Sequence, residues 1–315
     1  MKIAFIVKGT SGRKQYFYQA LARYEDEDVL AQTQVFETEY AGHAPQLAAQ
    51  HGSEVDLLVA VGGDGTLNEI VNACLAARTH DPDFSLPAFA ALAYGTANDF
   101  IKSCKSDGSF EQFLQLLRQQ SLRVIDAGKV SCVAEDGGTV TRYFVNAADV
   151  GVGATVVQRL AGRRRYLGAS LSYLMAIVSA FLGYRRVELS VVTDTGLQWC
   201  GPVLALVASS GRFFGSGLKI APNAELDDGK LDVLLVGDVS LRAFFSKLVD
   251  LRSGNIIEHP EVSYHQVGRI EVAGIAEQCA LEVDGEYIGK TPAVIKILPA
   301  SITFMMPCPD SDTSE

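Results

Sequence analysis

Along the first part of the chain, short unbroken apolar runs alternate with longer segments whose apolar residues recur at helical spacing. Ile3–Val7, Thr33–Phe36, Leu57–Val61 and Ala88–Ala93 read as strands; Lys14–Tyr24, His43–Gln50, Leu67–Ala77, Ala97–Ser103 and Phe110–Gln119 read as helices. A strand that is apolar throughout must be covered on both faces, so this alternation predicts a parallel sheet with helices on either side. After Asp126 the texture changes to strand-rich segments with turn signals: Lys129–Ala134, Tyr143–Ala148, Val187–Thr193, Val203–Ala208, Leu231–Val236 and Cys279–Val283, with Glu135-Asp136-Gly137-Gly138 and Asp284-Gly285 as hairpin turns. The fold class expected is an α/β N-terminal domain followed by a β-rich, sandwich-like second domain. Residues 1–127 form the first, 128–297 the second, and 298–315 return to the first.

Composition narrows the function classes. A chain of 315 residues that is 48% hydrophobic can bury a sizeable core in about two domains. A formal net charge of -10 argues against a nucleic-acid partner, whose phosphates would be repelled. The six cysteines are scattered without a CxxC or metal-ligand spacing, which reads as free thiols in a reducing cytoplasm. The apolar run at Met1–Val7 stops at Lys8, too short for a signal peptide, and Pro309–Glu315 is a polar end expected to fray.

Candidate chemistry concentrates at three strand-to-helix junctions: Lys8-Gly9-Thr10-Ser11-Gly12-Arg13, Gly62-Gly63-Asp64-Gly65-Thr66-Leu67-Asn68-Glu69 and Tyr94-Gly95-Thr96-Ala97-Asn98-Asp99. Ligands of open α/β sheets bind at the carboxyl ends of the strands, so all three should line one edge. Glycines let backbone amides approach an anion, and Thr10, Ser11, Thr66, Thr96, Asn68 and Asn98 supply polar side chains. A carboxylate, Asp64, inside such a turn suggests that a cation intervenes. Any single junction also reads as a glycine turn with a cap; their coincidence favours a nucleotide polyphosphate. No GxxxxGK[ST] occurs, nor GxGxxG followed about 20 positions later by an acidic residue, which disfavours hydride transfer.

Together with Ala221-Pro222-Asn223-Ala224-Glu225-Leu226-Asp227-Asp228-Gly229-Lys230-Leu231-Asp232 and Asp284-Gly285-Glu286, these motifs resemble the diacylglycerol kinase catalytic family, which is related to sphingosine kinases and more distantly to NAD kinases and phosphofructokinases. The resemblance runs nearly end to end. It implies that Gly63, Asp64, Gly65, Thr66, Leu67, Asn68 and Glu69 wrap the phosphates of ATP, with the loop Lys8, Gly9, Thr10, Ser11 and Gly12, and with Thr38 and Thr96, as further contacts. It implies Asp284 as general base, Glu286 in support, and Mg²⁺ held by the Asp228 carboxylate and the Glu225 and Lys230 carbonyls. Asp64, Asp99 and Asp126 match positions linking that metal toward the active site, so Asp64 counts among the catalytic carboxylates. The chain departs from the family at Lys8-Gly9, where relatives carry Asn-Pro. Diacylglycerol is the acceptor implied; phosphatidylglycerol, a sphingoid base or another lipid is the alternative, and an inactive nucleotide-binding regulator a further one.

Tyr166–Tyr184 carries no charge and is bracketed by Arg163-Arg164-Arg165 and Arg185-Arg186. Leu167, Leu171, Leu174, Val178 and Phe181 recur at helical spacing, so the segment reads as an amphipathic helix packed on the second domain, with its arginines suited to transient docking on anionic headgroups. The location expected is cytoplasmic, with peripheral membrane association during turnover. A homodimer stays open.

Overall fold

The computed structural model describes residues 1–24, 27–160, 179–180 and 183–308. It divides into two compact units, Met1–Asp126 with Ala300–Glu315, and Ala127–Pro299. The Arg163–Arg165 cluster, most of the Tyr166–Tyr184 run and 309–315 lie outside the described residues.

The first unit is built on β1 (Ile3–Val7), α1 (Lys14–Arg23), β2 (Thr33–Glu37), α2 (His43–His51), β3 (Leu57–Gly62), α3 (Asp64–His80), β4 (Ala88–Ala93), α4 (Asp99–Ser103) and α5 (Phe110–Gln119). Its strands are parallel in the order β4-β3-β1-β2, and residues 300–305 add to β4 in parallel at Phe304↔Phe89. Every residue of β1 and β3 is buried, as two covered faces require, whereas the edge strand β2 is half-exposed. Phe5 of β1 anchors an aromatic cluster, 5.2 Å from Phe17 of α1 and 5.6 Å from Phe113 of α5 between ring centroids. Helix α5 starts where Ser109 Oγ accepts the Gln112 amide at 3.1 Å and stops at Gln120, which is in the left-handed conformation.

Strand β5 (Leu122–Val133) carries the chain into the second unit, which holds β6 (Thr139–Phe144), β7 (Ala147–Gly151), α6 (Val152–Leu160), β8 (Val187–Thr193), β9 (Gln198–Val203), β10 (Ala205–Ser209), β11 (Leu231–Val236), α7 (Leu241–Ser246), α8 (Leu248–Ser253), β12 (Val262–Val267), β13 (Arg269–Gly274), β14 (Ala280–Val283) and β15 (Glu286–Met305). One antiparallel run is β12-β11-β10-β7-β14-β15; from β15 the pairing continues through β13 to β8 and β9, and β5 pairs β6. Inward-facing Val130, Phe144, Val150, Leu189, Leu206, Ile270 and Ile295 share one core.

Two strands expected to be continuous are broken. Tyr143–Ala148 divides into β6 and β7 because the amides of Val145 and Asn146 leave the ladder for a carboxylate from elsewhere in the chain. Val203–Ala208 divides at Leu204, whose carbonyl accepts the Val152 amide at 2.9 Å and whose amide donates to Val236. Of the arginine flank, Arg186 bonds the Val239 carbonyl at 2.6 Å and pairs with Asp238. Among the described residues no helix is long and apolar enough to cross a membrane.

Candidate active site

In the first unit, register fixes where the loops emerge. Val7 lies opposite Glu37 and Val61, and Gly62 opposite Ala93, so the segments beginning at Lys8, Thr38, Gly63 and Tyr94 leave one edge of the sheet. They are tied to each other by hydrogen bonds, each with at least one backbone partner. Lys8 donates its amide to Val61 O at 3.0 Å, Gly9 donates to Thr38 Oγ1 at 3.0 Å, and Arg13 Nη1 reaches Gly95 O at 2.6 Å. A Cβ on Gly9 would stand 1.9 Å from Thr38 O, and one on Gly95 would stand 2.3 Å from the Cα of Gly63. Glycine at position 9 therefore serves a close backbone approach.

Helix α3 begins at Asp64, earlier than the Leu67 expected, so the first-turn amides of the helix belong to the glycine motif itself. That is the geometry of a helix N-terminus that receives an anion. The side chains divide into two sets. Thr66, Leu67 and Asn68 are buried, and Thr66 folds back on Gly62, where a Cβ would lie 2.5 Å from Oγ1. They brace the turn. Gly63, Asp64, Gly65 and Glu69 are half-buried, as are Gly9 and Ser11, while Lys8, Thr10, Gly12 and Thr96 are exposed. Thr38 is buried and holds the first loop through its hydroxyl.

Asp64 Oδ1 accepts the Phe100 amide at 3.0 Å, so the carboxylate stitches the glycine turn to α4. Burial pushes its carboxyl above the usual range, opposed by the Phe100 and Asp99 amides and reinforced by the Asp99 charge. Asp99 in turn receives Lys102 Nζ at 3.1 Å, and Asp126 receives the Ala300 amide at 2.7 Å, which fastens the returning segment 300–305. Each carboxylate of the expected relay thus carries a local bond within this unit.

In the second unit Val283 pairs with Glu286, so Asp284-Gly285 is a two-residue hairpin turn with both residues at positive φ, 47° and 86°. The Asp284 carboxylate is turned inward, only 9% exposed, and accepts three amides: Val145 to Oδ2 at 3.0 Å, and Asn146 and Ala147 to Oδ1 at 3.1 and 2.8 Å. Glu286 is exposed at the start of β15. Polar residues that the sequence reading passed over crowd this corner. Asn146 donates Nδ2 to Phe213 O at 2.8 Å, Ser209 Oγ bonds Asn146 O at 3.2 Å, and Asp149 and Glu282 are each 1% exposed. The signal was available: each is a lone polar residue inside an otherwise apolar strand or at its end.

Asp228 Oδ1 accepts the Lys230 amide at 2.9 Å in the expected turn, with Gly229 at φ 72°. Glu225 and Lys230 are exposed. Burial pushes the Asp232 carboxyl up, and the negative charges of Asp228 and Glu225 add to this. That concentration of hard anionic oxygens fits a divalent cation. Among the described residues no group of three or more His, Cys, Asp or Glu side chains is placed to hold a metal.

Residues 2–130 match the model of the diacylglycerol kinase catalytic domain, and residues 146–306, half the chain, match that of the YegS C-terminal NAD kinase beta sandwich-like domain. The chain belongs to the diacylglycerol kinase catalytic-domain family. It is a lipid kinase, and its fold class is the one expected, an α/β unit with a β-rich second unit. Among its relatives are a diacylglycerol kinase of Bacillus subtilis (strain 168), 26% identical over 98% of this chain and 97% of the relative, and a protein of Shewanella frigidimarina (strain NCIMB 400) described as a probable lipid kinase, YegS-like, 29% identical over 81% and 78%. The fold is shared with a diacylglycerol kinase from Bacillus anthracis str. Sterne at a TM-score of 0.69 and 18% identity, with 97% of each chain covered.

Proposed function

We propose that this lipid kinase transfers the γ-phosphoryl group of ATP to the hydroxyl of diacylglycerol, giving phosphatidic acid. The observation that carries the donor half is the edge where Gly63 and Gly95 are packed backbone to backbone, and Gly9 against the Thr38 carbonyl, beside the N-terminus of α3. Amides presented there suit a polyphosphate, and Lys8 adds a positive charge. In this reading Gly63, Asp64 and Gly65 form the floor under the phosphates, Thr10, Ser11, Gly12 and Thr96 its walls, and Thr38, Thr66, Leu67 and Asn68 hold that floor in shape. Mg²⁺ near Asp228, with Glu225 and Lys230 contributing carbonyls, would offset phosphate charge.

Asp284 takes the acceptor proton in this scheme. Oδ2 is the oxygen assigned to it, since it accepts one of the three amides and Oδ1 accepts two. The amides fix the carboxylate in one orientation, which general-base catalysis requires. Glu286, exposed beside it, would set the local charge. The choice of diacylglycerol rests on the relatives of that name, which span almost the whole chain. Turnover on a membrane surface, a cytoplasmic location and a homodimer belong to the same proposal.

The experiment is direct. Purified protein is incubated with γ-labelled ATP, Mg²⁺ and separate dispersions of diacylglycerol, phosphatidylglycerol and a sphingoid base. Labelled phosphatidic acid is the expected product. Label in another lipid would move the acceptor, and no label in any lipid would sink the reading.

A further inference from the structure

Directly behind the Asp284-Gly285 turn, two acidic residues meet across a strand pair. Asp149 of β7 and Glu282 of β14 are register partners on antiparallel strands, so their side chains leave the sheet on the same face, neighbours in space. Each is 1% exposed. In each, one oxygen is committed to backbone: Asp149 Oδ2 accepts Ala154 N at 3.1 Å and the Gly153 amide, and Glu282 Oε2 accepts Gly285 N at 2.7 Å. The other oxygen of each, Asp149 Oδ1 and Glu282 Oε1, is buried without a hydrogen-bond partner among the described residues.

Two ionised carboxylates cannot stay buried side by side with an unmet oxygen on each; the arrangement needs something between them. We propose that Asp149 and Glu282 share one proton, held between Asp149 Oδ1 and Glu282 Oε1, and that this proton positions the Asp284-Gly285 turn. One carboxyl is then an acid donating O–H to the other, a short charge-assisted bond that satisfies both orphan atoms. Burial pushes Asp149 up to about 7; burial, then the Asp149 charge, holds Glu282 well above the usual carboxylate range.

Among the described residues the groups that act on the pair are negative or neutral. Asp284 and Glu286 add negative charge near Glu282, while Tyr184 and Cys279, hydrogen-bonded to each other at 3.4 Å, face Asp149 as neutral groups whose acidity burial suppresses. Arg186 acts on Tyr184 but is paired with Asp238. Gly153 makes room for the arrangement, since a Cβ there would stand 2.2 Å from Asp149 Oδ2. The link to Asp284 is one bond long: Glu282 holds the amide of Gly285, the residue that completes the turn. Losing the proton drives Glu282 away from Asp149 and loosens that hold. Glu282 and Asp149 are thus positioning residues, and this part of the inference rests on the reading of Asp284 as the functional carboxylate.

The test compares the full-length protein with Asp149→Asn and Glu282→Gln, whose amide N–H replaces the shared proton permanently. Thermal midpoint and turnover of dispersed diacylglycerol with ATP and Mg²⁺ are followed against pH. In the wild type both should fall as pH rises beyond about 7, where Asp149 has ionised and the remaining proton, held by Glu282 well above the usual carboxylate range, leaves the pair, with kcat and not the KM for ATP carrying the change. In both amide variants the fall should vanish, while Glu282→Ala, which also frees Gly285, should lose kcat at every pH. Amide variants that keep the wild-type stability profile would overturn the shared proton. A flattened stability profile with an unchanged kcat profile would overturn the positioning role. Flattened stability in a protein that phosphorylates no lipid would support the shared proton and reject the kinase reading instead. Carbon-13 carboxyl resonances of the wild type give a readout that needs no variant to fold: an aspartate or glutamate titrating near neutrality is expected, and its absence would remove the proposal.

Discussion

Asp284 and Ala147 exchange two hydrogen bonds. The Asp284 amide donates to Ala147 O at 2.9 Å, and the Ala147 amide donates to Asp284 Oδ1 at 2.8 Å. The side chain therefore takes a place that a strand would otherwise fill, and this makes Asp284→Ala a poor test of chemistry. It would leave the buried amides of Val145, Asn146 and Ala147 without their acceptor, at about 1–3 kcal/mol for an unsatisfied buried group. Asp284→Asn keeps an acceptor oxygen and should abolish turnover while nucleotide binding survives. Urea denaturation and nucleotide titration of both variants check this; undiminished turnover in Asp284→Asn would sink the base assignment.

Gly9 and Gly12 sit in the same loop and should respond differently. A Cβ at position 9 collides with Thr38 O, whereas one at position 12 meets nothing within 4 Å. Gly9→Ala should lower stability by about 1–3 kcal/mol and weaken nucleotide binding, with Gly12→Ala within about 0.5 kcal/mol of wild type in stability. Gly9→Pro should be worse than alanine here because it also removes the amide that bonds Thr38 Oγ1. Denaturant midpoints rank the three.

Asp64 gives a pH dependence of definite sign. Its carboxyl is raised in the folded state, so between the unfolded and folded values the native protein holds a proton that the unfolded chain has lost. The corresponding stability is present below the unfolded value and declines as pH rises through the folded one. Asp64→Asn, which keeps an oxygen for the Phe100 amide, should flatten this decline in urea unfolding measured from acid to neutral pH. An unchanged slope would show that the carboxyl is not protonated in the native state.

The metal proposal separates from nucleotide binding. Asp228→Asn preserves the acceptor for the Lys230 amide at 2.9 Å but removes the charge. Activity should then require about tenfold more Mg²⁺ for half-maximal turnover, a loss of about 1.4 kcal/mol, with ATP affinity little changed. A magnesium titration that superimposes on wild type would exclude Asp228 as a ligand.

Much of the first unit was legible because period and burial coincide there. Ile3–Val7 and Leu57–Gly62 are apolar without interruption because both faces are covered, and Phe110–Gln119 has a serine cap and a helical stripe. The second unit was harder for a physical reason. Its strand 143–148 ends where a side chain from 284 intervenes, and nothing local to residues 143–148 announces a partner so distant in sequence. The β12 segment buries only Val267 and the β13 segment only Ile270 and Val272, so each is short and half-exposed and leaves little continuous apolar signal in the sequence. At the candidate site, motif position pointed to Asp284 and the glycine turns as candidates, yet it could not separate the buried Thr66 and Asn68 from the exposed Thr96. It also passed over Asp149 and Glu282, whose meaning depends on cross-strand register.

That register hangs on a side chain. Sliding β7 by one residue against β14 would send Asp149 to the apolar face and bring Ala148 or Val150 opposite Glu282. The Val145, Asn146 and Ala147 amides gripped by Asp284 forbid the slip, so Asp284 acts as a register pin for the sheet as well as the proposed proton acceptor. Selection for correct strand alignment and selection for turnover therefore fall on one residue, and a lineage that lost the reaction would still have reason to keep the aspartate. The presence of Asp284 in a relative is accordingly weaker testimony to activity than the preservation of the glycine edge at Gly9, Gly63 and Gly95.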